Sequence, residues 1–183
     1  MKIAILGWGS LLWDDDREFD AHHDKWKLDG PLLPIEFSRI STSRHGALTL
    51  VVDPSHGTRC QVAYALSKRR TIEDAVADLR CREHTTMSNI GFLQPKSAKP
   101  PSLDQQTWES LQNWVCERKI DAVVWTALTS NFKTKTGLPF STENAVKYLS
   151  TLDSHGRSEA DNYIARAPSF VVTPLRRMLS DER

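Results

Sequence analysis

A glycine-rich segment close to the N-terminus has the composition of a ligand-binding loop. The segment Gly7-Trp8-Gly9-Ser10 directly follows the short apolar run 2–6, which predicts a buried strand leading into a tight loop. Two glycines permit positive φ angles, which would leave backbone N–H groups free to converge on an anion or a carbonyl oxygen. The loop is therefore a candidate cradle for a carboxylate.

Two other uses of this loop are disfavoured by the residues around it. The dinucleotide pattern G-x-G-x-x-G would require glycine at position 12, where the chain has Leu12. Ser10 lacks the G-x-S-x-G context of an activated serine, because Trp8-Gly9 precedes it and Leu11 follows it. An ordinary tight turn after a strand stays open as a purely structural interpretation.

A single carboxylate, Glu83, is predicted to lie where a helix meets a loop. Thr71 and Asp74 have capping-box spacing, which predicts a helix from Thr71 to about Arg82. A positioned carboxylate at such a junction can transfer protons. The alternative is a solvated glutamate that forms surface ion pairs of little value with Arg80 and Arg82. The apolar residues at helical intervals are Ile72, Val76 and Leu79.

Acidic and imidazole side chains cluster between the loop and the next strand. The triplets Asp14-Asp15-Asp16 and His22-His23-Asp24 contain good metal ligands, but their spacing matches no standard metal motif. Consecutive acids are more typical of a solvated loop. We therefore predict no metal site.

Composition limits the classes of partner. The chain has 183 residues, 39% of them hydrophobic, with 24 Lys+Arg against 23 Asp+Glu. One domain of this size buries roughly 70% of its unfolded surface. A formal charge of +1 creates no global field for nucleic acid or an anionic membrane, so we expect a small-molecule substrate. No apolar run approaches the ~20 residues of a membrane span, which predicts a cytoplasmic protein. Its oligomeric state is not predictable from these features.

The predicted elements do not alternate as βαβα units. Their order favours an α+β fold, with a mixed, partly closed sheet or barrel surrounded by helices. A strongly apolar strand at 120–128 should be central in the sheet. The other predicted strands span 31–43, 47–53, 59–66 and 170–173, and the later helices span 103–118, 141–152 and 159–167.

Four blocks, in order, resemble the gamma-glutamylcyclotransferase-like family. The first, 7–13, resembles its opening Y-G-S-N or G-Y-G-S-L-I-W signature, and 79–83 resembles its L-D-x-x-E helix end with the catalytic glutamate. Blocks 30–41 and 61–66 are similar to the strands between them. Together they cover residues 2 to about 85, and residues 163–168 match more loosely.

The resemblance implies one domain over 1–183, elaborated at about 89–119, and a reaction that needs no cofactor or metal. A gamma-glutamyl compound would cyclise to 5-oxoproline with release of an amine or amino acid, and Glu83 would be the general acid/base. The alternatives are a non-catalytic small-ligand binding or assembly protein that keeps the fold and cradle, and a hydrolase or acyl transferase that uses Ser10. The substrate-binding residues implied are Gly7, Trp8, Gly9, Ser10 and Leu11.

Three departures from the family pattern concern the site. Trp8 replaces the usual tyrosine, which removes a phenolic hydrogen bond and keeps a flat apolar surface. His84 follows Glu83 where glycine is common, so we expect a differently shaped loop there. The excursion at 89–119 is long enough to remodel a pocket wall. The leaving group is accordingly the property that the resemblance predicts least.

Overall fold

The computed structural model describes residues 1–95, 97–100 and 103–181, and it confirms the predicted α+β class. The strands are β1 (Ile3–Gly7), β2 (Leu32–Ile40), β3 (Leu48–Val52), β4 (Thr58–Gln61), β5 (Ala63–Leu66), β6 (Ile90–Leu93) and β7 (Ala122–Thr126). The helices are α1 (Arg17–Ala21), α2 (Ile72–Arg82), α3 (Gln105–Glu117), α4 (Phe132–Thr136), α5 (Thr142–Ser150), α6 (Ser154–Arg166) and α7 (Pro174–Asp181). Short 3₁₀ turns lie at Ser10–Leu12 and Met87–Asn89.

The described strands form two sheets, and neither of the two is a closed barrel. The first has the order β5-β1-β7-β6, in which β1 pairs antiparallel with β5 and parallel with β7. The second has the order β3-β2-β4, in which β2 and β3 are antiparallel. The prediction that 120–128 holds a central strand is confirmed, because β7 lies between β1 and β6.

The predicted strand 59–66 is in fact two strands in different sheets. The break falls at Val62, whose N–H donates to Pro31 O (3.0 Å) and whose carbonyl accepts from Gly30 N–H (3.0 Å). A side chain on Gly30 could not fit, since its Cβ would lie 2.4 Å from Val62 O. The backbone hydrogen bonds between Val62 and residues 30–31 therefore separate β4 from β5. Strand β6 was not predicted at all, and it lies within the expected elaboration.

Helix α2 begins and ends as predicted. Thr71 Oγ1 accepts from Asp74 N–H (3.2 Å), and the Thr71 hydroxyl donates back to Asp74 Oδ2 (2.6 Å). The buried stripe of α2 packs against β1 and β7, so the sheet fixes where the helix ends. This core cluster contains Ile3, Ile5, Leu11, Phe19, Ile72, Ala75, Val76, Leu79, Ile90, Ala122 and Val124, with Trp26 packed against it.

The predicted strand at 170–173 is wrong, because this segment is irregular and leads into α7. One of its carbonyls, at Val171, and two carbonyls just before the segment are bonded to a side chain. The Arg176 guanidinium donates to Ala167 O (2.6 Å), Pro168 O (2.6 Å) and Val171 O (2.9 Å). Thr173 Oγ1 then accepts from Arg176 N–H (3.3 Å) at the start of α7.

The chain divides into two compact units. The first comprises Met1–Leu33 and Gln61–Leu128, and the second Pro34–Cys60 and Thr129–Arg183. The glycine loop and Glu83 both belong to the first unit. Whether the two units form one domain stays a prediction. In the parts of the chain that the structure describes, no helix is both long and apolar enough to cross a membrane.

Candidate functional site

The glycine loop is a short 3₁₀ turn at the end of β1. Gly7 is the last residue of β1 and pairs with Ala63 of β5. Beyond it, Leu12 N–H donates to Gly9 O (3.0 Å) and Asp14 N–H donates to Ser10 O (2.9 Å). The amides of Ser10 and Leu11 lie at the start of this turn. The first N–H groups of a helical turn have no hydrogen-bond partner within the turn itself.

The prediction of positive φ angles at Gly7 and Gly9 is wrong. Gly9 has φ −127°, and in the described residues the glycines with positive φ are Gly46 and Gly137. A Cβ on Gly7 would instead lie 2.9 Å from both Leu12 Cδ2 and the Trp26 ring. Close packing thus explains the first glycine of the loop, and backbone conformation does not.

The apolar residues of the loop anchor it to the first unit. Trp8 and Leu11 are 5% and 8% exposed, and the Leu11 side chain joins the core cluster beneath α2. Ser10, between them, is half-buried. Because the Leu11 side chain is buried in the core, Leu11 is better placed to bind a substrate through its backbone than through its side chain.

Arg82 links the end of α2 to this loop. Its Nη2 donates to Asp14 O (2.7 Å) and to Ser10 O (3.4 Å), and its Nε lies 3.9 Å from Asp16 Oδ2. The side chain is only 13% exposed. The interpretation of Arg82 as a surface ion-pair partner of Glu83 does not include this role. A lone arginine in a helical stretch carries no sequence signal for bonding to carbonyls about 70 residues away.

Replacing Arg82 by methionine should loosen the loop, because methionine keeps a long unbranched side chain but has no N–H donor for either carbonyl. A charge-assisted hydrogen bond contributes roughly 1.5–3 kcal/mol, so we expect amide exchange of Leu12 and Asp14 to accelerate at least about tenfold. Hydrogen exchange followed by NMR measures this. Arg80→Met is the matched control, since the Arg80 guanidinium contacts Cys81 Sγ (3.2 Å). Equal exchange in both variants would contradict the proposed clamp.

Glu83 is the C-terminal capping residue of α2, and it is half-buried. The residues after it close the helix in a Schellman motif. His84 N–H donates to Cys81 O (3.1 Å) and Thr85 N–H donates to Arg80 O (3.2 Å). His84 has φ +46°, the left-handed conformation that usually requires glycine. The histidine therefore occupies a backbone conformation that glycine adopts without strain, and the expectation of a loop shaped differently from the family's stays a prediction.

His84→Gly should stabilise the protein. A left-handed non-glycine residue costs roughly 1–2 kcal/mol, and the extra freedom of glycine in the unfolded chain offsets about half of that gain. We expect a net increase of about 0.5–1 kcal/mol in the free energy of unfolding, measured by urea denaturation. His84→Ala removes the same imidazole but keeps the strained backbone. A gain of equal size in the alanine variant would show that strain is not the cause.

Residues on both sides of Glu83 border a cavity of 560 Å³. Arg80, Cys81 and Arg82 of α2 line it before the glutamate, and His84 and Thr85 line it after. Its remaining lining residues come from α1 and its flanks and from the middle of α2, and Glu83 is not one of them. The structure thus brings the helix end and α1 together around this cavity, and Arg82 also ties the helix end to the loop.

One member of the acidic and imidazole cluster, Asp16, has a structural role. Its Oδ1 caps α1 by accepting from Glu18 N–H (3.1 Å) and Phe19 N–H (3.1 Å). Within residues 1–95, 97–100 and 103–181, no three His, Cys, Asp or Glu side chains are grouped to hold a metal ion.

Sequence reasoning missed a buried carboxylate in the second unit. Glu36 on β2 is 1% exposed, and burial raises its pKa to about 7. The nearby Asp53 carboxylate also raises the pKa, while hydrogen bonds from Phe37 N–H and Thr173 lower it. The sequence signal for this carboxylate was a charged residue inside an apolar stretch. The strand that this stretch forms, β2, is buried at nearly every position.

Comparison of the chain with models of protein families and with curated proteins gives no match.

Proposed function

We propose that this chain is a gamma-glutamylcyclotransferase-like enzyme that converts a gamma-glutamyl compound to 5-oxoproline. The observation that supports it is the pair of hydrogen bonds from Arg82 to Ser10 O and Asp14 O, because Arg82 directly precedes Glu83. A helix end that carries a carboxylate is thereby tied to the loop at the end of β1. The cytoplasmic location and the family's single-domain fold belong to this proposal.

The reaction requires positioning more than a protein nucleophile. The free α-amino nitrogen of the substrate attacks its own side-chain carbonyl carbon, so that a C–N bond closes a five-membered lactam. The bond to the departing amine then breaks, and that amine leaves with a proton. Holding an intramolecular pair in a near-attack geometry contributes up to ~7–11 kcal/mol. The loop and the apolar residues around it provide the surface for such positioning.

Glu83 is the residue that moves the proton. The α-amino group arrives as an ammonium and must lose a proton before attack, while the departing amine must gain one. One carboxylate serves both steps if it can reach the two nitrogens in turn. Its place on a hydrogen-bonded helix end, with Glu83 N–H donating to Leu79 O (3.0 Å), holds the backbone of the residue fixed.

The loop amides are the proposed anion site. The N–H groups of Ser10 and Leu11 lie at the first turn, ahead of the bond from Leu12 N–H to Gly9 O (3.0 Å). Such donors stabilise either the tetrahedral oxyanion or the substrate α-carboxylate. Arg82 keeps this turn in place from the carbonyl side.

Product analysis on a panel of gamma-glutamyl amides tests the proposal. The panel should vary the leaving group from small alkylamines to amino acids, with 5-oxoproline detected by mass spectrometry. We expect at least one substrate to yield 5-oxoproline and free amine in equal amounts. Formation of glutamate instead of the lactam would indicate a hydrolase, and Ser10→Ala would then test the nucleophile. Saturable binding without any product would indicate a binding protein.

A further inference from the structure

One edge of the first sheet, the outer side of β6, is left bare by the described part of the chain. In the order β5-β1-β7-β6 the two edge strands are β5 and β6. Segment 23–27 covers the β5 edge, through isolated bridges that join Lys27 to Tyr64 and His23 to Ser67. Among the described residues, no strand or bridge pairs with the outer side of β6. A bare edge presents backbone donors and acceptors with which another strand can pair.

The register of β6 on β7 shows which of its backbone groups face outward. Asn89 O accepts from Ala127 N–H (2.7 Å), so Asn89 and every second residue after it bond to β7. Phe92 lies at the alternate positions, and its backbone N–H and C=O therefore point away from β7. Ile90 has the same orientation, and its N–H donates to Met87 O rather than to β7. Phe92 accordingly offers one donor and one acceptor to a neighbouring strand.

The side chains along this edge do not protect it. Native edge strands are commonly shielded by lysines, by other charged side chains or by covering elements. Residues 85–95 contain no charged side chain, and Phe92 is 53% exposed in the middle of β6. Phe92 lies on the same face of the strand as Ile90, which joins the core cluster beneath α2. The edge therefore combines open backbone groups, an exposed aromatic ring and no charge.

We propose that two copies of this chain pair antiparallel through β6, about a two-fold axis at Phe92. In that register each Phe92 N–H donates to Phe92 O of the second copy, and each Gln94 N–H donates to Ile90 O of the second copy. The other two groups of the Ile90–Gln94 pair are already used, because Ile90 N–H donates to Met87 O and Gln94 O accepts from Ser97 N–H (3.1 Å). The pairing therefore forms four hydrogen bonds and leaves no backbone group of these pairs without a partner.

A second copy suits this edge better than a strand of unrelated sequence. A two-fold contact is self-complementary, so each backbone group finds its partner on the identical surface. The uncharged stretch 85–95 brings no like charges together, and it gives a charged peptide nothing to recognise. The two Phe92 rings lie opposite each other as a cross-strand aromatic pair. The contact is small, so we expect a reversible dimer, and its formation does not depend on the proposed cyclisation.

Sedimentation equilibrium of the full chain tests the dimer, at concentrations from about 1 µM to about 1 mM, the range of weak reversible complexes. We expect the average mass to rise with concentration from that of the monomer to that of the dimer, and no further. A chain that stays monomeric throughout would overturn the proposal and would leave this edge to a strand of another protein. Growth beyond the dimer would also overturn it, because a two-fold contact closes on itself.

Variants and amide exchange locate the contact. Phe92→Lys should be monomeric throughout, because its two ammonium groups would face each other across the axis. Leu28→Lys, which adds the same charge at a 65% exposed position next to the β5 edge, should dimerise like the wild type. In the wild type, hydrogen exchange of the Phe92 and Gln94 amides should slow as the dimer forms. Unchanged dimerisation of Phe92→Lys, or equal exchange of these amides in monomer and dimer, would overturn the assignment.

Discussion

Replacing Glu83 by glutamine should lower the rate of 5-oxoproline formation by about 100- to 10,000-fold, the usual contribution of a general acid/base. The amide keeps the shape of the side chain but cannot take a proton from the substrate ammonium. Because binding does not require proton transfer, KM should change much less than kcat. Steady-state kinetics on the best substrate of the panel measures both constants.

The control for this variant is Glu73→Gln, which removes a carboxylate from the exposed first turn of the same helix. It should retain nearly full activity. Urea denaturation of Glu83→Gln should show a stability close to that of the wild type, so that any loss of rate is chemical. A Glu83→Gln variant with undiminished kcat would remove this residue from the mechanism.

Glu36→Gln is expected to change stability rather than catalysis, and to do so in a pH-dependent way. Burial raises the pKa of Glu36 from 4.5 to about 7. Between these two values the native protein binds a proton that the unfolded chain has lost. Stability therefore falls as pH rises from about 4.5 to about 7, and it levels off above that range.

The size of the effect follows from that pKa shift. Each pKa unit corresponds to about 1.4 kcal/mol, so the ionised Glu36 destabilises the native state by about 3 kcal/mol above pH 7. Glutamine resembles the protonated acid and can still accept from Phe37 N–H, as Glu36 Oε1 does (2.8 Å). The variant should therefore be more stable than the wild type at pH 8, and about equal to it at pH 4.5.

Urea denaturation at a series of pH values checks this expectation. The difference between the two proteins should grow along the pH range in which Glu36 ionises. Glu117→Gln, at an exposed position in the last turn of α3, should follow the wild-type curve. A Glu36→Gln variant that is destabilised equally at every pH would show that the native protein keeps Glu36 charged or needs it for packing.

Elements with local signals could be predicted from the sequence. Helix α2 has its cap at Thr71 and its apolar stripe within one segment, and β7 is an uninterrupted apolar run. Both elements are determined by residues close together in the chain, so the hydrophobic pattern and local propensity were sufficient to predict them. The cap of α5 at Ser141, which accepts from Asn144 N–H (3.1 Å), is a third case.

Features that depend on distant partners could not be predicted. The break at Val62 arises from hydrogen bonds to Pro31 and Gly30, about 30 residues away. The Arg82 clamp is likewise a long-range contact. Such pairings are set by tertiary structure, which overrides local preference.

The geometry around the candidate site residues could not be predicted from the sequence. Gly7 was identified as a loop residue, yet its contact with Trp26 rather than a positive φ explains it. His84 adopts the left-handed backbone conformation, which a histidine at this position does not predict. The burial of Glu36 depends on side chains from separate segments, including Thr173.

A crystal structure with bound 5-oxoproline would test most directly whether the loop and the helix end act on one ligand. The account predicts a lactam that accepts a hydrogen bond from the amide of Ser10 or Leu11 and touches the Glu83 carboxylate. Soaks at saturating concentration that leave this place empty, or that show the lactam bound away from either group, would contradict it.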